Sequence, residues 1–244
     1  MTSGGTPKYV AIIADGNGRW AQRRKLPVGM GHRAGAENVR ARLRDAAEFG
    51  IRELTIFAFS TENWMRPIEE VRDLMELLAE YISFVTPELH RDGIRLRFIG
   101  DRNPPMPATL VERMIWAEQM TEANELLTFC VPINYGGRQE ILQAARQFTG
   151  STEEDFKALL YAPDMHDIEL LIRTGAEQRL SNFLLWQMAH AFCVLSKEMW
   201  PEFSRRSFEA AIDAFRGDSE SSVLRPPSDL LEPHHHPRGQ VELR

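Results

Sequence analysis

The chain has 244 residues, 43% hydrophobic and 26% charged, which suits one globular domain with a sizeable core. Its net charge of −6 speaks against a general polyanion binder, so no nucleic-acid partner is expected. No stretch reaches transmembrane length and the polar start Met1–Lys8 is not a signal peptide, so the expectation is a cytoplasmic protein. The two cysteines, Cys130 and Cys193, sit in apolar runs and read as small core residues in a reducing compartment.

In chain order, residues 1–8 read as a flexible start. The apolar run Tyr9-Val10-Ala11-Ile12-Ile13 predicts a buried strand that ends on Asp15. The turn Asp15-Gly16-Asn17-Gly18 then enters a helix bearing Arg19 and Trp20. Glycines allow close backbone approach, and a helix start offers free N–H groups to an anion. A carboxylate beside that anion suggests a metal ion between them, so the turn reads as a Mg-assisted diphosphate site. A plain strand-to-helix connection is the other reading, because the turn matches neither the Walker pattern nor G-x-G-x-x-G.

Arg33–Phe49 has helical spacing, with Ala36, Val39, Leu43 and Ala47 on one face, and His32 falls at its expected start. Leu54–Phe59 predicts a buried strand, Val71–Leu89 a long helix, and Ile94–Ile99 an alternating strand. Leu110–Met120 is helical, Leu127–Ile133 apolar, and Arg138–Phe148 helical after the break at Asn134-Tyr135-Gly136-Gly137. Leu170–Ile172 is a short strand and Ser204–Arg216 a last amphipathic helix, so the domain is placed at residues 9–216. The tail from 217 to 244 is rich in Pro, Ser and His and is expected to be disordered. Its three histidines, His234 to His236, read as solvated rather than metal-binding. The β-α alternation implies an α/β fold with a mostly parallel sheet and helices on both faces.

In such sheets ligands lie outside the carboxyl ends of the strands. Those ends carry Asp15, then Ser60-Thr61-Glu62-Asn63-Trp64-Met65-Arg66, then Asn134–Arg138, then Arg173–Asn182. Arg19, Arg66, Arg173 and Arg179 offer bidentate donors suited to phosphate oxygens. Leu74, Met75, Leu77, Leu78, Tyr81, Ile82 and Phe84 fit either core packing or an apolar tunnel beside that site.

Six blocks in this order resemble the cis-prenyltransferases, the undecaprenyl diphosphate synthase family: AIIADGNGRWA, GHRAG, AFSTENWMRP, INYGGRQEI, IRTGAEQRLSNFLLWQ and WPEF. The resemblance implies a Mg2+-dependent homodimer with a six-stranded parallel sheet flanked by helices. It implies joining of isoprenyl diphosphates, with the hydrocarbon growing into a hydrophobic tunnel, and peripheral membrane contact if the product is long. Carried over by position, Asp15 holds the metal and helps the allylic diphosphate leave. Gly16, Asn17, Gly18, Arg19, Trp20 and His32 bind that diphosphate. Phe59, Ser60, Thr61, Glu62 and Trp64 surround the reacting centre, Asn63 stands next to the proton lost, and Arg66 stands near both diphosphates. Arg173, Arg179, Leu180 and Ser181 bind the nucleophile's diphosphate, and Met75 and Phe129 line the tunnel.

The chain also departs from the family's pattern. Tyr9 stands where histidine is usual, Ala14 where methionine is, Val28 where an arginine is, Met65 where asparagine is, and Ala176 where a second glycine is. Phe192 takes the place of a second acidic metal ligand, and the basic C-terminal end is missing or replaced. Because an arginine and a carboxylate are lost together, the expected reaction is irregular, head-to-middle condensation of the lavandulyl type. Dimethylallyl diphosphate is then the nucleophile, a short allylic diphosphate such as geranyl diphosphate the donor, and the setting secondary metabolism. The alternatives are regular head-to-tail synthesis of a Z-polyprenyl diphosphate from isopentenyl diphosphate, and a non-catalytic partner subunit. Phe129, with Phe98 and Tyr81 near it, is expected to limit the product to a short chain.

Overall fold

The computed structural model describes residues 5–223, and the side chains of 5–217. Its strands are β1 (Tyr9–Ile13), β2 (Glu53–Ile56), β3 (Phe59–Ser60), β4 (Ile94–Ile99), β5 (Leu127–Tyr135), β6 (Leu170–Arg173) and β7 (Phe192–Leu195). Every pairing is parallel, and the sheet runs β4-β5-β2-β1-β6-β7, with the two-residue β3 continuing alongside β5. The expected six-stranded parallel sheet is therefore present, with one strand in two pieces. That strand was expected unbroken over Leu54–Phe59. The break falls where β5 carries Pro132, which has no N–H for the ladder, and Ala58 N–H instead donates to the Pro132 carbonyl at 3.2 Å.

The inner strands β1, β2 and β6 are buried on both faces, as parallel strands covered on two sides must be. One face builds the larger core from Val10, Ile12, Leu54, Ile56, Leu96 and Phe129, under α2 (Val28–Glu48), α3 (Ile68–Arg91), α4 (Ala108–Thr121) and α7 (Arg205–Val223). The opposite face builds a smaller core from Ala11, Ile13, Cys130 and Tyr135 with Met165, Phe183 and Leu184. The short helix α1 (Asn17–Arg23) follows β1, and α5 (Gly137–Gln147) and α6 (Glu153–Lys157) follow β5.

Several boundaries differ from the sequence reading. α2 and α3 begin earlier than expected, directly after Pro27 and Pro67. His32 therefore lies in the second turn of α2, not at its start. α7 runs to Val223, past the expected end at Arg216; the rest of the tail, with His234 to His236, lies outside the described residues. At the other end, Lys8 Nζ donates to the Gly50 carbonyl at 3.1 Å and Arg216 donates to Thr6 Oγ1 at 2.6 Å, so this part of the start is tied down. β7 was not foreseen: its burial alternates between half-buried and exposed, and Cys193 is exposed rather than in the core. No helix among the described residues is long and apolar enough to cross a membrane.

β1 sits between β2 and β6, and the chain leaves it toward both sides of the sheet. A crevice opens at the carboxyl ends of strands at such a switch point.

Candidate active site

β1 delivers Asp15 into that crevice. Asp15 N–H donates to Thr174 Oγ1 at 2.9 Å, Thr174 Oγ1 donates to the Asp15 carbonyl at 2.8 Å, and Trp200 N–H reaches the same carbonyl at 2.9 Å. The carboxylate is held from both sides: Oδ1 is 3.1 Å from Arg19 and Oδ2 is 3.1 Å from Arg173. Its side chain is one-third exposed, whereas Arg173 is buried at 5%. Gly16 turns the chain at φ +110°, and a Cβ there would lie 2.9 Å from Met199, so only glycine fits. On α2, a Cβ at Gly31 would lie 2.1 Å from the Asn17 carbonyl and one at Gly35 2.5 Å from Asn17 Oδ1. The glycines of the GHRAG block thus let α2 lie directly on the turn after β1. Asn17 Oδ1 and His32 Nε2 are buried without a partner among the described residues. Burial and the Arg66 guanidinium lower the His32 pKa, with Glu70 pulling the other way, which favours neutral imidazole.

β6 delivers Arg173. Besides Asp15, its guanidinium donates to Ser181 Oγ at 2.7 Å and to the Arg179 carbonyl. Gly175 (φ +83°) lets Arg19 approach: Arg19 donates to the Gly175 carbonyl at 2.8 Å, and a Cβ there would lie 2.7 Å from the guanidinium. Ala176, where the family has glycine, holds φ +61°. β3 delivers the turn Thr61–Met65, fastened where Ser60 N–H donates to Asn63 Oδ1 at 3.0 Å. Arg66 follows, paired with Glu70 at 3.0 Å.

These groups open onto one cavity of about 840 Å³ between α2, α3 and the sheet, within the range of small-molecule sites. Its polar end holds Asp15, Arg19, Arg66 and Arg173. Its apolar body runs along α3 past Leu74, Leu78, Tyr81 and Val85 to Phe98 and Phe129. From Glu70 to Val85 the helix wall extends about 22 Å. Of the expected residues, Asp15, Gly16, Asn17, Gly18, Arg19 and His32 are on the wall, as are Phe59, Ser60, Glu62, Asn63, Arg66, Arg173, Ser181 and Phe129.

Six expected residues are off the wall. Trp20 stacks under Arg24 at 4.4 Å. Thr61 is half-buried beside the cavity, and Trp64 donates to Asn134 Oδ1 at 2.7 Å behind Phe59. The Arg179 side chain is 80% exposed and paired with Glu177, so this residue enters the site through its carbonyl only. Leu180 is solvent-facing, and Met75 is buried in the core instead. Phe84, read as core or tunnel, is 63% exposed under Arg40. The sequence reading gave no site role to Glu70, Asn182, Leu96 and Val131, which also line the cavity. The last two were recoverable from alternation, since Leu96 pairs with Phe129 and Phe98 with Val131, all on one face. Among the substituted positions, Val28 and Ala14 line the cavity, Tyr9 stacks on His166 at 4.1 Å, and Phe192 meets Phe215 on the edge strand away from it.

The family model described as putative undecaprenyl diphosphate synthase matches residues 13–221. The chain belongs to this prenyltransferase family. It is 45% identical to an isoprenyl transferase of Rhizobium meliloti, over 86% of this chain and 89% of that one. It is 42% identical to a ditrans,polycis-undecaprenyl-diphosphate synthase, (2E,6E)-farnesyl-diphosphate specific, of Xanthomonas axonopodis, over 89% and 88%. Among solved structures, lavandulyl diphosphate synthase of Lavandula x intermedia, in complex with dimethylallyl diphosphate, superposes with a TM-score of 0.82 at 32% identity, covering 86% of this chain and 95% of that one. A probable undecaprenyl diphosphate synthase of Campylobacter jejuni does so at 0.75 and 30% identity, covering 88% and 96%. As a member of this family the chain is a prenyltransferase, as expected, which stands against the alternative of a non-catalytic subunit.

Proposed function

We propose that this prenyltransferase condenses isopentenyl diphosphate head-to-tail with an allylic diphosphate, giving a Z-prenyl diphosphate. The supporting observation is the single cavity that joins a guanidinium-lined polar end to a long apolar wall. Such a shape suits a diphosphate carrying a hydrocarbon. The departures at Val28 and Phe192 led to the expectation of irregular chemistry. Relatives named isoprenyl transferase or undecaprenyl-diphosphate synthase, at 40–45% identity, favour the regular reaction instead.

The donor set fits a divalent ion of the Mg2+ kind. Among the described residues no cluster of three or more His, Cys, Asp or Glu could cage a metal. Mg2+ is commonly bound through one or two carboxylates together with substrate phosphates. Asp15 would be that carboxylate, and the ion would supply charge neutralisation to the departing diphosphate. Arg19, with the backbone around Gly16 and Gly18, binds the allylic diphosphate. Arg173 and Ser181 bind the diphosphate of the nucleophile. The allylic C–O bond breaks, the isopentenyl double bond attacks the freed carbon, and a proton leaves the isopentenyl unit beside Asn63. The apolar wall receives the chain and keeps water from the cation. The working unit proposed is a homodimer.

The irregular reaction stays as a second reading because the lavandulyl diphosphate synthase structure aligns over most of both chains. One assay decides between them. Purified protein with Mg2+ is given farnesyl or geranyl diphosphate, with isopentenyl diphosphate in one arm and dimethylallyl diphosphate alone in the other. Product in the first arm only supports head-to-tail synthesis. Branched product in the second arm overturns it.

A further inference from the structure

Asn182 has no role in the scheme above, yet every polar atom it carries beyond its own N–H is engaged. Its carbonyl accepts from Gly137 N–H at 2.7 Å, and its Oδ1 accepts from Arg138 N–H at 2.8 Å. Its Nδ2 donates to Glu62 Oε1 at 2.8 Å and to Gln139 Oε1 at 3.0 Å. Glu62 stands after β3, Gly137 to Gln139 stand after β5, and Asn182 follows β6. One residue therefore ties together three strand ends around the cavity it lines. Gly136 makes room for the knot: a Cβ there would lie 2.7 Å from Thr61 Oγ1 and 2.8 Å from Asn182 Nδ2.

The segment that carries Asn182 is held against its backbone preference. Ser181, Asn182 and Leu184 adopt φ of 52°, 57° and 39°. Left-handed backbone of this kind suits asparagine better than it suits serine or leucine, and at Ser181 and Leu184 it persists only where surrounding contacts enforce it. Phe183 and Leu184, both fully buried, fix one side. Asn182 fixes the side that faces the cavity, next to Ser181, whose Oγ lies 2.7 Å from the Arg173 guanidinium.

We infer that Asn182 is a positioning residue that locks the segment after β6 to the turn after β3 through Glu62, fixing the subsite for the nucleophile's diphosphate relative to the reacting centre around Asn63. The inference rests on the proposed reading of the cavity as a diphosphate site. Its test is a double-mutant cycle on the affinity for inorganic pyrophosphate with Mg2+, measured by calorimetry on wild type, Asn182→Gly, Glu62→Ala and the double variant. Glycine accepts the backbone angle and removes only the side chain, and any charge effect of Glu62→Ala appears in both arms and cancels. Asn182→Gly is expected to weaken pyrophosphate about tenfold, the scale of one hydrogen bond to a charged group. The double variant is expected to be no weaker than the weaker single variant. The kinetic counterpart is a rise in KM for isopentenyl diphosphate in Asn182→Gly.

Effects that simply multiply overturn the inference. So does a variant that melts earlier yet binds pyrophosphate as wild type does, since that is a structural role only. If Asn182→Gly does not fold, Asn182→Ser enters the same cycle. Wild type that fails to bind pyrophosphate overturns the diphosphate reading itself and the inference with it, whereas wild-type binding with multiplicative effects overturns the inference alone.

Discussion

Asp15 holds two guanidinium groups together, and removing it has two opposite effects. Asp15→Ala should lower turnover about 10²–10³-fold, the usual cost of deleting one preorganised electrostatic contact, with the fold kept by circular dichroism. Without metal, the same variant should bind pyrophosphate more tightly, because Arg19 and Arg173 lose their internal anion. Turnover within tenfold of wild type would refute the assignment. The two arginines after β6 should separate. Arg173→Ala should raise KM for isopentenyl diphosphate more than Arg179→Ala, because the Arg179 guanidinium points to solvent and pairs with Glu177. Equal effects would mean that Arg179 swings inward when substrate binds. His32 carries a pH signature. Its pKa is lowered from 6.5 by burial and Arg66, so the folded state resists protonation. The folded state therefore loses stability as pH falls below that ordinary value. Between about pH 7 and pH 5 the melting temperature should drop, and His32→Asn should flatten the slope. Parallel slopes for the two proteins would contradict this.

At the scale of elements, the edge strand β4 is covered by side chains rather than by another strand. Leu96 N–H donates to Thr121 Oγ1 at 2.9 Å and Phe98 N–H to Glu118 Oε1 at 2.8 Å, both acceptors on α4. Arg102 holds the Glu118 carboxylate at 2.7 Å. Exposed edges invite pairing with other chains, and such covering prevents it. Glu118→Ala should cost about 1–3 kcal/mol in denaturant unfolding, the penalty for an unpaired donor out of water, while KM values stay near wild type. Elements with strong periodicity were legible from the sequence: β1, β4, β5 and the bodies of α2 and α3. These strand starts were read correctly, but the starts of α2, α3 and α4 were misplaced, although the signal was there. Pro27, Pro67 and Pro107 each stand directly before the first helical residue, where their missing N–H costs nothing. β7 was not legible, because Phe192-Cys193-Val194-Leu195 is a four-residue apolar run with neither alternation nor turn residues to mark it as an edge strand.

Across the whole molecule, the polar end of the cavity was readable because Asp15, Arg19 and Arg173 lie within a few residues of strand ends, and strand ends converge at the switch point. The apolar wall was only half readable. Leu74, Leu78, Tyr81 and Val85 share one helical face, whereas Met75, one position on, is rotated about 100° into the core. Arg179 misled because its carbonyl, not its guanidinium, meets Arg173 while the side chain pairs with Glu177, which adjacency in sequence does not reveal. Phe129 is 5% exposed on the cavity wall, two residues from Val131 and across from Leu96. Phe129→Ala should admit longer allylic donors and lengthen the product on chromatography, with a stability loss of about 3–5 kcal/mol. An active variant with unchanged donor preference and product length would assign Phe129 to packing alone.

β1 is among the first elements synthesised, yet its partner β6 lies some 160 positions later, the separation between Tyr9 and Glu169 in their hydrogen bond. The Asp15–Arg173 pair therefore cannot close while the chain is still being made up to that point. Parallel pairings over such distances form slowly, since the loop entropy comes before the contacts that offset it. An emerging chain that holds β1, β2, β4 and β5 carries much of the apolar wall together with Arg19 and Arg66, yet still lacks Arg173 and Ser181. The greasy half of the cavity is encoded first, and the groups assigned to the second diphosphate arrive only with the crossover from β5 to β6, so a chain cut short before it would hold a hydrocarbon wall without a complete site.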